Sequence, residues 1–289
     1  MTETRRYNSG AAFRTALEER LKRIARDEGI DLQRLRRQVA FDRFLARLFQ
    51  SGHPDWFLKG GYAMELRFHQ ARATKDLDFT VRTTPTGDDD AVLAILQEVG
   101  ATEIGDWFTF RISEATTDLD GAPYGGARYP AEAIVAGRTF VKFHLDVGIG
   151  DIIVDPVDVV RTRDWLAFAG IETASVLMIQ TEQQFAEKIH AYTLPRPAAP
   201  NSRVRDLVDL VLLVQSGMMD RSRVAEALRR TFARRRTHEL PPVLAAPPED
   251  WAAPFATMAE ECSLRMNAAD AFNEVARYFQ EVISGRHQH

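Results

Sequence analysis

The chain has 289 residues, 45% hydrophobic and 27% charged, a balance that supports a packed globular core in one large domain or two ordinary ones. A net charge of −4 excludes a protein that coats nucleic acid non-specifically, although a local basic face remains compatible with it. The single cysteine, Cys262, excludes a disulfide framework and a cysteine-based zinc site, and fits a reducing compartment.

The opening stretch MTETRRYNSGAAFRTALEERLKRIARDEG is too charged for a signal peptide, and no apolar run approaches the ~20 residues that span a bilayer, so a soluble cytoplasmic protein is expected. Phe13, Leu17, Leu21 and Ile24 recur at helical spacing. A second helix is predicted from Asp31, its cap, to Gln50. From Trp56 the periodicity shortens. WFLK reads as a strand, YAMELRF as a helix, DLDFTV as a strand, and DDDAVLAILQEVG as a helix that starts on acids at Asp88 and stops on Gly100. WFTFRIS and RTFVKFHLDVGIGD read as further strands.

Beyond Gln180 the chain turns helical. TEQQFAEKIHAYT is followed by a proline-rich link, LPRPAAPNSR, and by the helices VRDLVDLVLLVQSG and DRSRVAEALRRTFARRR. A second proline-rich break, LPPVLAAPPEDW, precedes a terminal helix from about Asn267 to Ser284. Strands interleaved with helices imply an α/β (α+β) fold. The expected division is N-terminal helices over 1–55, a core over 56–180 and a helical C-terminal region over 181–289.

Two features of the core carry chemistry. In DLDFTV, Asp76 and Asp78 share one face of a strand while Leu77 and Phe79 share the other. Paired carboxylates repel unless a cation lies between them, and magnesium favours one or two carboxylates together with substrate phosphates. Upstream, Gly60 and Gly61 precede a helix near Tyr62. Backbone amides at such a corner receive phosphate, glycine permits its close approach, and Lys59 adds a cation. Either motif alone more often marks an ordinary turn or a solvated strand end; the two in this order are far more specific. In the strand around RTFVKFHLDVGIGD, Lys142, His144 and Asp146 share the polar face, so Asp146 is a third carboxylate if this strand neighbours the Asp76 strand.

KGGYAMELR followed by RATKDLDF, FAEKIHA and RDLVDLVLL resembles the AbiEii-type nucleotidyltransferase toxin family, which includes MenT-like toxins, within the DNA polymerase β-like superfamily. The resemblance implies a polymerase β-like nucleotidyltransferase core, with the helical C-terminal region completing the active site. It implies nucleotide binding at Lys59, Gly60, Gly61 and Tyr62, although the superfamily often has Ser or Thr where this chain has Tyr62. It implies magnesium at Asp76, Asp78 and Asp146, as a two-ion site, and catalytic roles for Asp76, Asp78, Lys188 and Asp209. It further implies an NTP substrate, a tRNA 3′ end or other RNA as acceptor, and a cognate antitoxin.

Some of these positions also read without the family. Lys188 flanks the apolar stripe Phe185, Ile189 and Tyr192, from which it either snorkels to water or reaches a phosphate. Asp206 and Asp209 lie in a helix apolar all round and need partners: Arg203 or Arg205 for Asp206, Lys188 or the nucleotide for Asp209. Arg229, Arg230, Arg234, Arg235 and Arg236 form a basic run that suits an RNA backbone. A phosphate on Thr74, two residues before Asp76, would bring a dianion to the carboxylates. A glycosyltransferase using Asp-x-Asp, and an inactive nucleotide- or partner-binding module, are the alternatives.

Overall fold

Two long helices precede the first strand. The computed structural model describes residues 7–68, 70–82, 89–119, 122–195 and 203–285. Asp88, expected to start a helix, and residues 196–202 of the proline-rich link lie outside the described residues. Helix α1 (Gly10–Glu28) is capped by Ser9, and α2 (Leu32–Gln50) by Asp31, whose carboxylate accepts the Arg34 N–H. Strand β1 (Trp56–Lys59) leads directly into α3 (Gly60–Arg67), which starts two residues earlier than its apolar pattern suggests. Then follow β2 (Asp76–Val81), α4 (Asp89–Ala101), β3 (Phe108–Ile112), β4 (Thr117–Asp118), β5 (Gly126–Val135), β6 (Arg138–Ile149), β7 (Asp158–Arg161) and β8 (Ser175–Met178).

These strands form one mixed sheet in the order β3-β5-β6-β2-β1-β8-β7, with β4 beside β5. The β2–β6 and β1–β8 pairs are parallel and the others antiparallel. Strand β5 is the main element that the sequence conceals. Pro130 argues against an interior strand because it removes a ladder donor, and the inward positions Ala127, Ala131 and Ala133 are small. Pairing with the twelve-residue β6 carries it nonetheless.

Residues Met1–Leu66, Ala73–Gly150 and Asp158–Met178 form one compact unit, which contains the whole sheet. Its core joins Phe13 and Leu17 of α1, Phe41 and Phe44 of α2, and the inward-facing Leu77, Phe79, Phe143 and Leu145. A buried ion pair reinforces it: Arg47 and Arg43 of α2 both bind the Asp106 carboxylate, at 2.6 and 2.7 Å. The opposite face of the sheet carries Asp76, Asp78, Lys142, His144 and Asp146.

The second unit comprises Arg67–Arg72, Asp151–Val157 and Ile179–His289. Within it, α5 (Thr181–Thr193) packs against α6 (Val204–Gln215) and α7 (Arg221–Arg235), and α6 packs against α8 (Ala252–Glu261) and α9 (Ala268–Ile283). The mixed α/β class and the mostly helical C-terminal half are as expected. Among the described residues, no helix is long and apolar enough to cross a membrane.

Candidate active site

Strand register assembles the first cluster. Lys59 pairs with Asp78, Asp78 with Asp146, and Asp146 with Arg128, so four charged residues form one row across β1, β2, β6 and β5. The next row places Asp76 beside His144, whose Nδ1 is 3.0 Å from the Asp76 carboxylate.

The glycine corner is fitted to Asp78. Gly60 has φ +66°, and a Cβ there would lie 2.0 Å from the Asp78 carboxylate. Any side chain would therefore strike the acid as well as strain the backbone. The Gly61 N–H, first amide of the α3 turn after the corner, donates to Asp78 at 3.3 Å. A Cβ on Gly61 would stand 2.7 Å from the Thr74 hydroxyl, which packs against the corner. That hydroxyl is buried, so the exposed modification site that a phosphate on Thr74 requires is not present in this arrangement.

Burial, followed by the negative charges of Asp146 and Asp76, pushes the Asp78 pKa up to about 7, while Lys59 and the Gly61 N–H oppose the rise. Carboxyls so perturbed cluster at functional sites, which makes Asp78, set against the Gly60–Gly61 corner, the centre of the candidate site.

Arg128 escaped the sequence reading because β5 did. Its guanidinium grips both oxygens of Asp146, at 2.8 and 2.6 Å, and reaches Asp76 at 3.5 Å. Its hydrogen bonds to Asp146 hold its pKa above the usual arginine value. Among the described residues, no group of three or more His, Cys, Asp or Glu side chains is arranged to hold a metal ion. Asp146, expected as a third carboxylate, stands beside Asp78, and its charge helps to raise the Asp78 pKa, while Arg128 binds its oxygens; Asp76 and Asp78 are the pair on β2. The pair fits a hard divalent cation, because its donors are oxygens on one strand face and a cation would relieve the repulsion that raises Asp78.

The Tyr62 side chain does not face the corner. Its ring is buried, and its hydroxyl donates to Asp42 at 2.5 Å, so the side chain turns into the core rather than toward a nucleotide. Burial raises Asp42 to about 7 and also raises Tyr62. Glu65, buried on α3, was not singled out in the sequence. It accepts the Thr74 N–H at 2.7 Å and binds Gln38 at 2.5 Å and Arg34 at 3.0 Å, thereby tying the entry of β2 to α2 and α3.

The second unit holds its own cluster. Lys188, buried on α5, contacts Asp209 at 2.6 Å and Asp206 at 3.4 Å, while Arg72 binds both oxygens of Asp209. Burial opposes the charge on Lys188, but the two aspartates outweigh it and hold its pKa above the ordinary value. Lys188 therefore does not snorkel; it is locked between carboxylates. Asp206 also meets Arg203 at 3.6 Å.

The basic run on α7 is broken up. Arg235 is buried against Asp151 and Glu187, at 2.9 and 3.4 Å, so it belongs to the interior of its unit and not to an RNA-facing patch. Arg229 and Arg230 both pair with Glu226. His190 is packed between Phe232 and His238. Burial, then the neighbouring Arg235, lowers its pKa to about 3, so it is a neutral structural residue at ordinary pH.

The glycine corner lies against the paired carboxylates of β2, a candidate site for phosphate and cation chemistry. The family described as nucleotidyl transferase AbiEii toxin, type IV TA system, matches residues 43–278, and the chain belongs to it. It is accordingly a nucleotidyltransferase of a toxin–antitoxin family, which displaces the glycosyltransferase and inactive-module alternatives. Among solved structures, MenT4, a nucleotidyltransferase toxin from Mycobacterium tuberculosis H37Rv, is 19% identical, with 92% of this chain and 97% of that chain covered at a TM-score of 0.57, which shows a shared fold. JHP933 from Helicobacter pylori is 15% identical, over 88% of this chain and 93% of that one, at a TM-score of 0.49. No curated protein matches the chain significantly.

Proposed function

We propose that the protein transfers a nucleoside monophosphate from an NTP to an RNA acceptor, the tRNA 3′ end being the acceptor implied by the family resemblance, and so blocks translation until its antitoxin intervenes. The observation that carries this reading is the Gly60–Gly61 corner set directly against Asp78, whose pKa is raised to about 7 by burial and then by its acidic neighbours. The acceptor hydroxyl forms a bond to the α-phosphorus, the bond to the β-phosphate bridge breaks, pyrophosphate leaves, and the hydroxyl proton passes to water.

Gly60 and Gly61 bring the backbone at the start of α3 up to the Asp78 carboxylate, which places the helix N-terminus beside the proposed phosphate site. Lys59 places a cation on the same row as Asp78. Asp76 and Asp78 would hold magnesium, which when bound stabilises charge on the transferring phosphate and lowers the acceptor hydroxyl's pKa. Arg128 fixes Asp146 and balances its charge, and His144 orients Asp76. Lys188 and Asp209 are proposed to support activity through the order they impose on their own unit.

Incubation with each labelled NTP, total tRNA and magnesium tests the proposal. Label in RNA with matching pyrophosphate release supports it, and Asp76→Ala should abolish both. Absence of label with all four NTPs, or persistence of label in Asp76→Ala, overturns it.

A further inference from the structure

The polar face of the sheet changes charge along the strands. One step beyond the Asp76–His144 row, Lys142 of β6 pairs with Glu132 of β5, which pairs with Arg111 of β3. Between these rows lies a groove of about 300 Å³, lined by Arg37, Lys75, Arg111, Lys142 and His144, with Glu132 as its carboxylate. It begins at the catalytic cluster itself: Lys75 precedes Asp76, and His144 bonds to the Asp76 carboxylate.

The cations differ in availability. Arg37 donates to the Thr74 carbonyl at 3.1 Å, and Arg111 pairs with Glu132 at 2.8 Å while remaining largely exposed. Lys75 and Lys142 are exposed and make no ion pair among the described residues. Such a concentration of cations in a chain of net charge −4 is local and directional. Side chains that share a strand face stand about 6.6 Å apart along it. The groove therefore offers successive positive groups leading away from the carboxylates, which suits a strand bearing one negative charge per nucleotide.

We propose that this groove holds the ribose–phosphate backbone of the RNA acceptor strand, with Lys75, Lys142 and Arg111 as its phosphate contacts. The proposal rests on the nucleotidyl-transfer reading above and adds where the acceptor lies. It assigns RNA binding to the sheet rather than to the α7 arginines, one of which is buried. The NTP is not the occupant, because the glycine corner that would receive its triphosphate lies on β1 and α3, on the other side of β2 from β6, β5 and β3.

The test compares wild type with Lys75→Gln/Lys142→Gln/Arg111→Gln, none of which touches a buried contact. Binding of bulk tRNA is measured by fluorescence anisotropy across a sodium chloride series, and NTP affinity is measured in parallel. Each lost phosphate contact lowers the slope of log K against log salt by about 0.7 for a single strand, so the slope should fall by about 2. RNA affinity at moderate salt should fall at least about tenfold, and NTP affinity should stay within twofold.

Unchanged RNA affinity and slope would overturn the groove assignment, as would a loss confined to NTP binding or a wild type that binds no tRNA. Transfer by the wild type is scored separately. A wild type that binds tRNA through these residues but transfers no nucleotide from any NTP refutes the enzymatic reading while leaving the groove in place. Normal transfer by wild type, with variant binding unaltered, refutes the groove alone.

Discussion

Replacing Asp78 by asparagine should make the protein more stable while abolishing transfer. The folded state holds this carboxyl near pH 7, whereas the unfolded chain ionises it at the ordinary value of 3.8. Between those values the native state binds the extra proton, so the contribution of Asp78 to stability falls as pH rises from about 4 to about 7 and stays low above it. The rise sets a ceiling of about 4 kcal/mol at pH 8. Asp78 is only half-buried, and solvent screening reduces this to about 2 kcal/mol. Asparagine removes the charge and keeps an oxygen for the Gly61 N–H. Asp42, which is also raised to about 7, is present in both proteins and cancels in the comparison. Thermal unfolding at pH 8 should therefore place Asp78→Asn about 4–8 °C above wild type, and the gap should close toward pH 4. Magnesium should raise the wild-type Tm and leave the variant's unchanged. An equal Tm at pH 8, or a gap that persists at pH 4, would refute the reasoning.

Three further outcomes are expected. Gly60→Ala should lose transfer and about 2 kcal/mol or more of stability, because the methyl meets Asp78 at 2.0 Å and the backbone is left-handed; kinetics and urea unfolding check it. Glu65→Leu should cost about 2–4 kcal/mol in urea unfolding by stranding Arg34, Gln38 and the Thr74 N–H, and Glu65→Gln, which still accepts from Thr74, should cost less than half of that. Lys188→Ala should be destabilised by about 3 kcal/mol as well as inactive, since Asp209 keeps only Arg72. A Lys188→Ala protein that unfolds like wild type yet is inactive would instead make its charge catalytic.

Local chemistry made much of this protein readable in one dimension. The spacing of Phe13, Leu17 and Leu21 places one face of α1 in the core, and Asp31 caps α2, because helix periodicity and capping involve residues only a few positions apart. Asp76 and Asp78 share a face, and Gly60–Gly61 makes a corner, for equally local reasons. What the tertiary structure decided depends on pairing between distant segments. Asp146 stands opposite Asp78 because β2 and β6 lie in parallel register, and it is bound by Arg128 because β5, disguised by Pro130 and its small inward residues, inserts between β3 and β6. Tyr62 turned inward because Asp42, twenty residues earlier, accepts its hydroxyl. Arg235 left the basic run because Asp151 and Glu187 offered it partners from other parts of the chain. The sequence determined which residue types were available for phosphate and cation chemistry, but which charges remained available depended on long-range pairing, since a side chain's partner is set by where the chain returns and not by its neighbours in sequence.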